Sequence, residues 1–271
     1  MVFMTATLRP TDEERFCEGM NIIGKGVVKI RGRTSRPNIR YQIRTYESAA
    51  QGADSQIIAT IQVVDELKAK YPALAKIIVY SSNKKVADRL GEELDYILYH
   101  ADVDDRAGKG KRLAQWRQGD EQHRVAVATS TLGLGVDVRD TRGVIHIDVL
   151  RDVAEFVQES GRAGRDGQAS ESIILMPVVG TEHAAKRRQG MHSQVVDQRR
   201  PQEVLAYRHK SQAAATQEQK EMAAEMDDLI HARCRRVVLD RVMDGRFDRS
   251  ECEPGEEVCD MCEQRSQAHR V

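Results

Sequence analysis

The chain has 271 residues, with 42 lysines and arginines against 42 aspartates and glutamates, so its formal net charge is zero. That length suits one large domain or two small ones, and 40% hydrophobic with 31% charged residues can bury a core, which excludes wholesale disorder. Aromatic residues are scarce (4%), no apolar run approaches the roughly 18 residues of a membrane span, and the balanced charge excludes nucleic-acid binding by bulk basicity alone while leaving local basic surfaces open.

Met1-Val2-Phe3-Met4-Thr5 does not read as a signal peptide. In chain order, Ser55–Lys70 predicts a helix, Lys76–Tyr80 a strand, Lys84–Leu94 a helix and Tyr96–Tyr99 a strand. Asp104–Gln118 then reads as a helix, Val125–Ala128 and Val144–Ile147 as strands, Val153–Glu159 as a helix and Ser172–Met176 as a strand. The strand segments are continuous apolar runs rather than alternating ones, as expected of parallel strands covered on both faces. Strands alternating with helices of this length predict right-handed βαβ units and an α/β fold. After Pro177 the strand signals cease. Met222, Met226, Leu229, Ile230, Val237 and Val238 fall at helical spacing, and Gln212–Lys220 reads as exposed helix or soft linker. The expected boundary therefore lies near residue 180, and no internal repeat is visible.

Charge is unevenly spread. From Lys25 to Arg44 there are seven basic residues and no acid, and from His183 to Lys210 the local charge is +5. From Glu251 to Cys262 there are five acids and no base, interleaved with three of the five cysteines. A charge run is commonly just a solvated face, but this pattern also suggests a nucleic-acid surface and a separate module built on cysteines.

The most specific stretch is Gln158-Glu159-Ser160-Gly161-Arg162-Ala163-Gly164-Arg165-Asp166-Gly167, between a predicted helix and a predicted strand. Two arginines three apart among glycines suit guanidinium groups that must reach phosphate oxygens, because the planar fork stays charged and binds in a bidentate manner. By composition alone a flexible polar turn is the favoured reading. Taken together, the ten residues resemble the sixth motif of superfamily 2 helicases, in a form similar to that of the RecQ-like DNA helicases. Other segments follow in that family's order. Ala128 to Asp137 resembles the fifth motif, Ile77–Ser82 the strand of the fourth, and Arg36–Tyr41 a segment entering the second lobe, while Thr5-Ala6-Thr7 resembles the third motif. Asn83-Lys84-Lys85 departs from the Ser-Arg pair usual after the fourth motif.

The resemblance implies a RecA-like helicase C-terminal lobe, a parallel sheet with helices on both faces, at residues 25–180. It implies the end of a first lobe at 1–24 and a helical zinc-binding subdomain at 181–271. It makes Arg165 the finger on the γ-phosphate of ATP, with Arg162 its neighbour and Gln158 part of the same motif. Gly135 and Asp137 would sit by the nucleotide, and Thr129, Ser82 and Thr7 by DNA. It further implies single-stranded or branched DNA as partner, 3′–5′ unwinding, roles in DNA repair and recombination, and a nuclear location.

Cys234, Cys252, Cys259 and Cys262 are spaced C-x17-C-x6-C-x2-C, and Cys17 stands apart. Four thiolates with a C-x2-C pair suit tetrahedral Zn²⁺; a disulfide framework, disfavoured by the odd cysteine and the lack of a signal peptide, and unrelated free thiols are the alternatives. RecQ-like helicases carry such a subdomain, opened by Cys-Arg-Arg, and Cys234-Arg235-Arg236 matches it. The wider spacing before Cys259 is similar to fungal, telomere-linked members. His231, one turn before Cys234, is a further candidate ligand or an exposed helix histidine.

The phosphate loop G-x-x-x-x-G-K-[ST] does not occur in the sequence, and none of its Asp-Glu pairs stands at the end of a predicted strand, where Mg²⁺ and water would need it. ATP and Mg²⁺ are thus expected only with a complementary first lobe, and the chain alone is expected to be inactive. A non-catalytic DNA-binding module and an inactive helicase remnant are the competing readings.

Overall fold

The computed structural model describes residues 2–5, 7–22, 27–47, 52–100, 104–120, 123–129, 138–147, 150–178 and 216–268. After a single 3-10 turn at Pro10–Asp12 come α1 (Glu13–Gly19), β1 (Ile39–Glu47), α2 (Gly52–Lys70), β2 (Lys76–Tyr80), α3 (Lys84–Glu93) and β3 (Ile97–Tyr99). They are followed by α4 (Arg106–Gln118), β4 (Val125–Ala128), β5 (Thr141–His146), α5 (Val153–Ser160) and β6 (Ser170–Val178). Three further helices close the order: α6 (Gln217–Ile230), α7 (Arg235–Asp244) and α8 (Asp260–Ala268).

The chain forms two compact units, each drawn from separated stretches. One comprises 42–149 and 162–208, the other 1–41, 150–161 and 209–271. The first is built on a six-stranded sheet of order β1-β6-β5-β2-β4-β3, to which β1 contributes from the unit boundary. β2 pairs in parallel with β4 and β5, β3 with β4, and β5 with β6. This is the parallel α/β arrangement that the apolar runs predict. Every residue of β2 and of β4 is buried, which accounts for their continuous apolar sequence. Ile77, Val79, Val125, Val127, Ile145, Ile173 and Leu175 pack with Val63, Val64 and Leu67 of α2 and Val86, Ala87 and Leu90 of α3. Each such side chain contributes about 1.5–3 kcal/mol when fully buried. Gly143 lets α2 lie close to the sheet, since a Cβ there would come within 2.5 Å of Leu67 Cδ1.

The second unit is mainly helical. Thr216 caps α6 in a reciprocal capping box with Gln219, so residues 217–220 of the Ala/Gln-rich stretch are helical, while 212–215 lie outside the described residues. Met226, Leu229 and Ile230 of α6 and Val238, Leu239 and Met243 of α7 are buried. No helix among the described residues is long and apolar enough to cross a membrane.

Candidate functional site

In the sheet unit, the residues singled out by sequence fall on opposite edges. Ser82 follows the carboxyl end of β2, and Thr129 follows that of β4. The neighbouring strands hold these turns, through Ser81 N to Ala128 O at 2.9 Å and Thr129 N to Tyr99 O at 3.3 Å. Ser82 is exposed and Thr129 half-buried. Carboxyl edges of parallel strands are where ligands meet open α/β sheets. Gly135 and Asp137, which belong to the same motif as Thr129, lie outside the described residues.

The arginine motif is attached to the amino edge. Gly164 N donates to Thr141 O, at the start of β5, at 2.8 Å, and Gly167 N donates to Gly164 O at 2.9 Å. Both glycines have positive φ, +57° and +82°, a conformation other residues adopt at a cost. Arg142 of β5 then clasps Asp166 with both guanidinium nitrogens, Nη1 to Oδ1 at 3.0 Å and Nη2 to Oδ2. Asp166 Oδ1 also accepts from Gln168 N at 3.1 Å. The hydrogen bond from Arg142 holds the Asp166 carboxyl below the usual carboxylate range. The loop is therefore fastened at Gly164 and Asp166, and the residue between them, Arg165, is exposed; Arg162 is buried. The edges are separated by the length of the strands, about 15 Å for a five-residue strand at ~3.3 Å per residue. Gln158 and Thr7 belong to the helical unit, exposed on α5 and half-buried in the N-terminal arm respectively.

The helical unit gathers the four cysteines. Their Sγ atoms all lie within 4.8 Å of one another, with Cys234–Cys252 at 3.8 Å and Cys234–Cys259 at 3.9 Å. A tetrahedron of sulfurs about 2.3 Å from a Zn²⁺ has edges of about 3.8 Å, whereas a disulfide needs about 2.05 Å. The donor set thus fits a tetrahedral metal. Hydrogen bonds with Cys234 and Cys252 pull the Cys259 thiol well below its ordinary range, favouring one thiolate in the cluster. Outer contacts orient the sulfurs: Cys259 N donates to Cys252 Sγ at 3.4 Å, and Arg265 Nη2 to Cys262 Sγ at 3.1 Å. His231 is not in the cluster. It is exposed, and its Nδ1 lies 2.9 Å from Asp227 O. Cys17 also stands outside it.

Both arginines after Cys234 are buried structural groups. Arg235 pairs with Asp260 at 2.9 and 2.8 Å and donates to Leu229 O and Ile230 O at 2.7 Å each. Arg236 reaches the N-terminal arm instead. Its carbonyl partners there fall in the Arg36–Tyr41 segment singled out by sequence, whereas Arg142 of the other unit is a residue that sequence reasoning missed, because its partner Asp166 lies 24 residues along the chain.

The basic run at 25–44 is read differently once partners are visible. Lys29 and Arg31 pair with Glu13, Arg33 with Glu253, Arg40 with Glu263 and Arg44 with Glu66, while Arg36 donates to Gly161 O. Five of the run's basic residues thus meet acids brought from elsewhere in the sequence, with Lys29 and Arg31 sharing Glu13, so much of its charge is paired within the protein. Lys25 and the second basic segment, 183–210, lie outside the described residues.

Residues 58–167 match the helicase conserved C-terminal domain family. The chain is 31% identical over 182 residues to ATP-dependent DNA helicase Q-like 2 of Arabidopsis thaliana, covering 65% of this chain and 24% of that protein. It is 34% identical over 137 residues to ATP-dependent DNA helicase RecQ of Bacillus subtilis, with 44% and 23% covered. Against ATP-dependent DNA helicase Q1 of Mus musculus it is 31% identical over 145 residues, with 52% and 21% covered. The chain thus spans about a quarter of the length of these curated relatives. Among solved structures, S. cerevisiae Dbp5 bound to RNA and ADP BeF3 is similar at a TM-score of 0.50 and 16% identity, covering 61% of this chain and 42% of that one. The fold is that of a RecA-like helicase lobe.

Proposed function

Since this chain carries the C-terminal lobe of a RecQ-like superfamily 2 helicase, we propose that it is the C-terminal part of an ATP-dependent 3′–5′ DNA helicase. Arg165 is the finger that stabilises charge on the transferred γ-phosphoryl group, with Arg162 and Gln158 in support. Gly135 and Asp137 lie by the nucleotide, and Thr129, Ser82 and Thr7 by DNA. Cys234, Cys252, Cys259 and Cys262 hold one structural Zn²⁺. ATP and Mg²⁺ bind only with a complementary first lobe, because the residues that cradle phosphates and hold the metal are not in this sequence. Its place of work is the nucleus, in DNA repair and recombination.

The observation that carries this reading is an exposed Arg165 on a loop fastened on either side, at Gly164 and Asp166. A finger must be presented rather than tumbling, since stabilisation by a positioned charge needs no reorganisation during reaction. The test is ATP hydrolysis by the chain alone and after mixing with, or fusion to, a RecQ-type first lobe bearing a P-loop. The expected result is none alone, and DNA-stimulated hydrolysis with the lobe that is lost in Arg165→Ala. Hydrolysis by the chain alone, or complementation indifferent to Arg165→Ala, overturns it.

A further inference from the structure

Helix α5 ends on a carbonyl that a distant residue caps. Gly161 O accepts from Arg36 Nη1 at 3.2 Å. This satisfies one of the carbonyls that a helix leaves open in its last turn, and sets a cation at the negative end of its dipole. Arg36 is itself held by its backbone. Its N–H donates to Tyr41 Oη at 3.1 Å, and its carbonyl accepts from Arg236 Nη1 at 2.9 Å. Tyr41 packs edge-on against Phe156 of α5, with centroids 5.9 Å apart, and carries the Arg236 guanidinium 5.0 Å above its ring. Arg236 is fully buried, and its Nη2 also donates to the carbonyls of Pro37, Ile39 and Glu257 at 3.1, 2.7 and 3.2 Å.

Arg236 lies two residues after Cys234, and Glu257 two residues before Cys259. The anchor of this chain of contacts is therefore tied to two members of the cysteine cluster. It cannot shift without breaking its hydrogen bonds to four carbonyls, of which that of Ile39 is buried and costly to leave unsatisfied. Arg235 faces the other way, onto Asp260 and the end of α6, so of the two arginines it is Arg236 that makes the connection, beside Glu257 N donating to Pro37 O at 2.7 Å.

We propose that Arg36 is a positioning residue through which the metal-bound cysteine cluster sets the last turn of α5, the turn that follows Gln158 and leads into Arg162 and Arg165. This rests on the role proposed above for those arginines, and it adds a structural link between metal occupancy and the arginine motif. It predicts that the turn loosens when either the metal or the Arg36 cap is lost.

The test is hydrogen exchange by mass spectrometry on the zinc-loaded full chain. Chelation speeds exchange of the amides of 157–161 about tenfold, the scale of one lost hydrogen bond, while β2, β4 and β5 stay protected. Arg36→Gln speeds the same amides by a similar factor with one zinc still bound per chain, and chelation then adds little. Arg36→Lys, which keeps the cation but not the fork, recovers part of the protection. Equal exchange in the wild type and zinc-loaded Arg36→Gln overturns the proposal, as does a chelation effect of the same size in both. Should chelation unfold the whole helical unit, the comparison at full zinc occupancy decides alone. Failed ATPase complementation would leave these exchange results standing, whereas unchanged exchange would sink this inference and leave the ATPase reading intact.

Discussion

Arg142 and Asp166, 24 residues apart, form a two-pronged ion pair beside the exposed Arg165, with side chains only 11% and 28% exposed. The pair fixes the loop from the strand side, so the direction in which Arg165 is presented depends on a residue outside the arginine motif. Arg142→Ala is expected to speed amide exchange over residues 163–168. The charge-swapped double variant, Arg142→Asp with Asp166→Arg, should recover part of the protection. A double-mutant cycle on thermal melts should give a coupling of about 1 kcal/mol, as for a well-aligned but partly exposed pair.

Acid should weaken the sheet unit. Asp166 is held below its ordinary value by the hydrogen bond from Arg142. For Glu171, burial pushes the carboxyl up, but hydrogen bonding and charge from Lys70, with Gln42 and Arg44, outweigh it, and the net shift is downward. A depressed folded-state value means stability that is present above the unfolded pKa and is lost as pH falls through the folded one. Loss is therefore expected below about pH 4, the ordinary carboxylate range. Melting temperatures followed from about pH 6 to about pH 3 should show this fall, and Asp166→Asn with Glu171→Gln should flatten it.

Within a reconstituted two-lobed ATPase, Arg165→Ala should lower kcat about 1,000-fold or more, the contribution expected of an arginine finger. Because Arg165 is exposed, its removal should change thermal stability no more than an ordinary surface substitution, about 0.5 kcal/mol. Arg162→Ala should differ: Arg162 is buried, so lowered thermal stability should accompany the lost turnover. Steady-state kinetics set beside melting curves separates the two.

Metal analysis of the purified chain should find one zinc per molecule. Cys262→Ser should lose it and open residues 234–262 to protease, because at a structural metal site the free energy of binding is also free energy of folding. The strands of the sheet unit should keep their resistance. Retained zinc, or unchanged protease resistance, would contradict the assignment.

Arg236→Ala should destabilise the helical unit by about 2 kcal/mol, since it strands the buried carbonyl of Ile39, removes hydrogen bonds to three partly buried ones and takes the cation from the Tyr41 ring. Denaturant unfolding in excess zinc measures it. A change under about 0.5 kcal/mol, the range of ordinary surface substitutions, would show that the carbonyls find other partners.

Much of the fold is legible along the chain. Lys76–Tyr80 and Val125–Ala128 are strands at the predicted bounds, and the four predicted helices recur with ends displaced by at most three residues. These segments carry their own signal, because burial on two faces demands unbroken apolar residues. β1 escaped notice because Ile39–Glu47 interleaves arginines with its apolar positions, and its burial alternates unevenly. Helix α8 was missed because Asp260–Ala268 has little apolar periodicity and takes its place beside the cysteine cluster.

By itself, the sequence determined what is local and periodic: an alternating α/β lobe, an arginine-glycine motif between a helix and a strand, and four cysteines at metal-ligand spacing. The zero net charge belongs to that local information too, but what the charges do does not. Only the tertiary structure decided that the basic residues from Lys29 to Arg44 meet acids and a helix end, that Arg142 fastens Asp166, and that Arg36 meets Arg236 from 200 residues away. The physical reason is reach. Hydrogen bonds and ion pairs act over a few ångströms of space whatever the separation along the chain, so their partners appear only once the fold has brought them together.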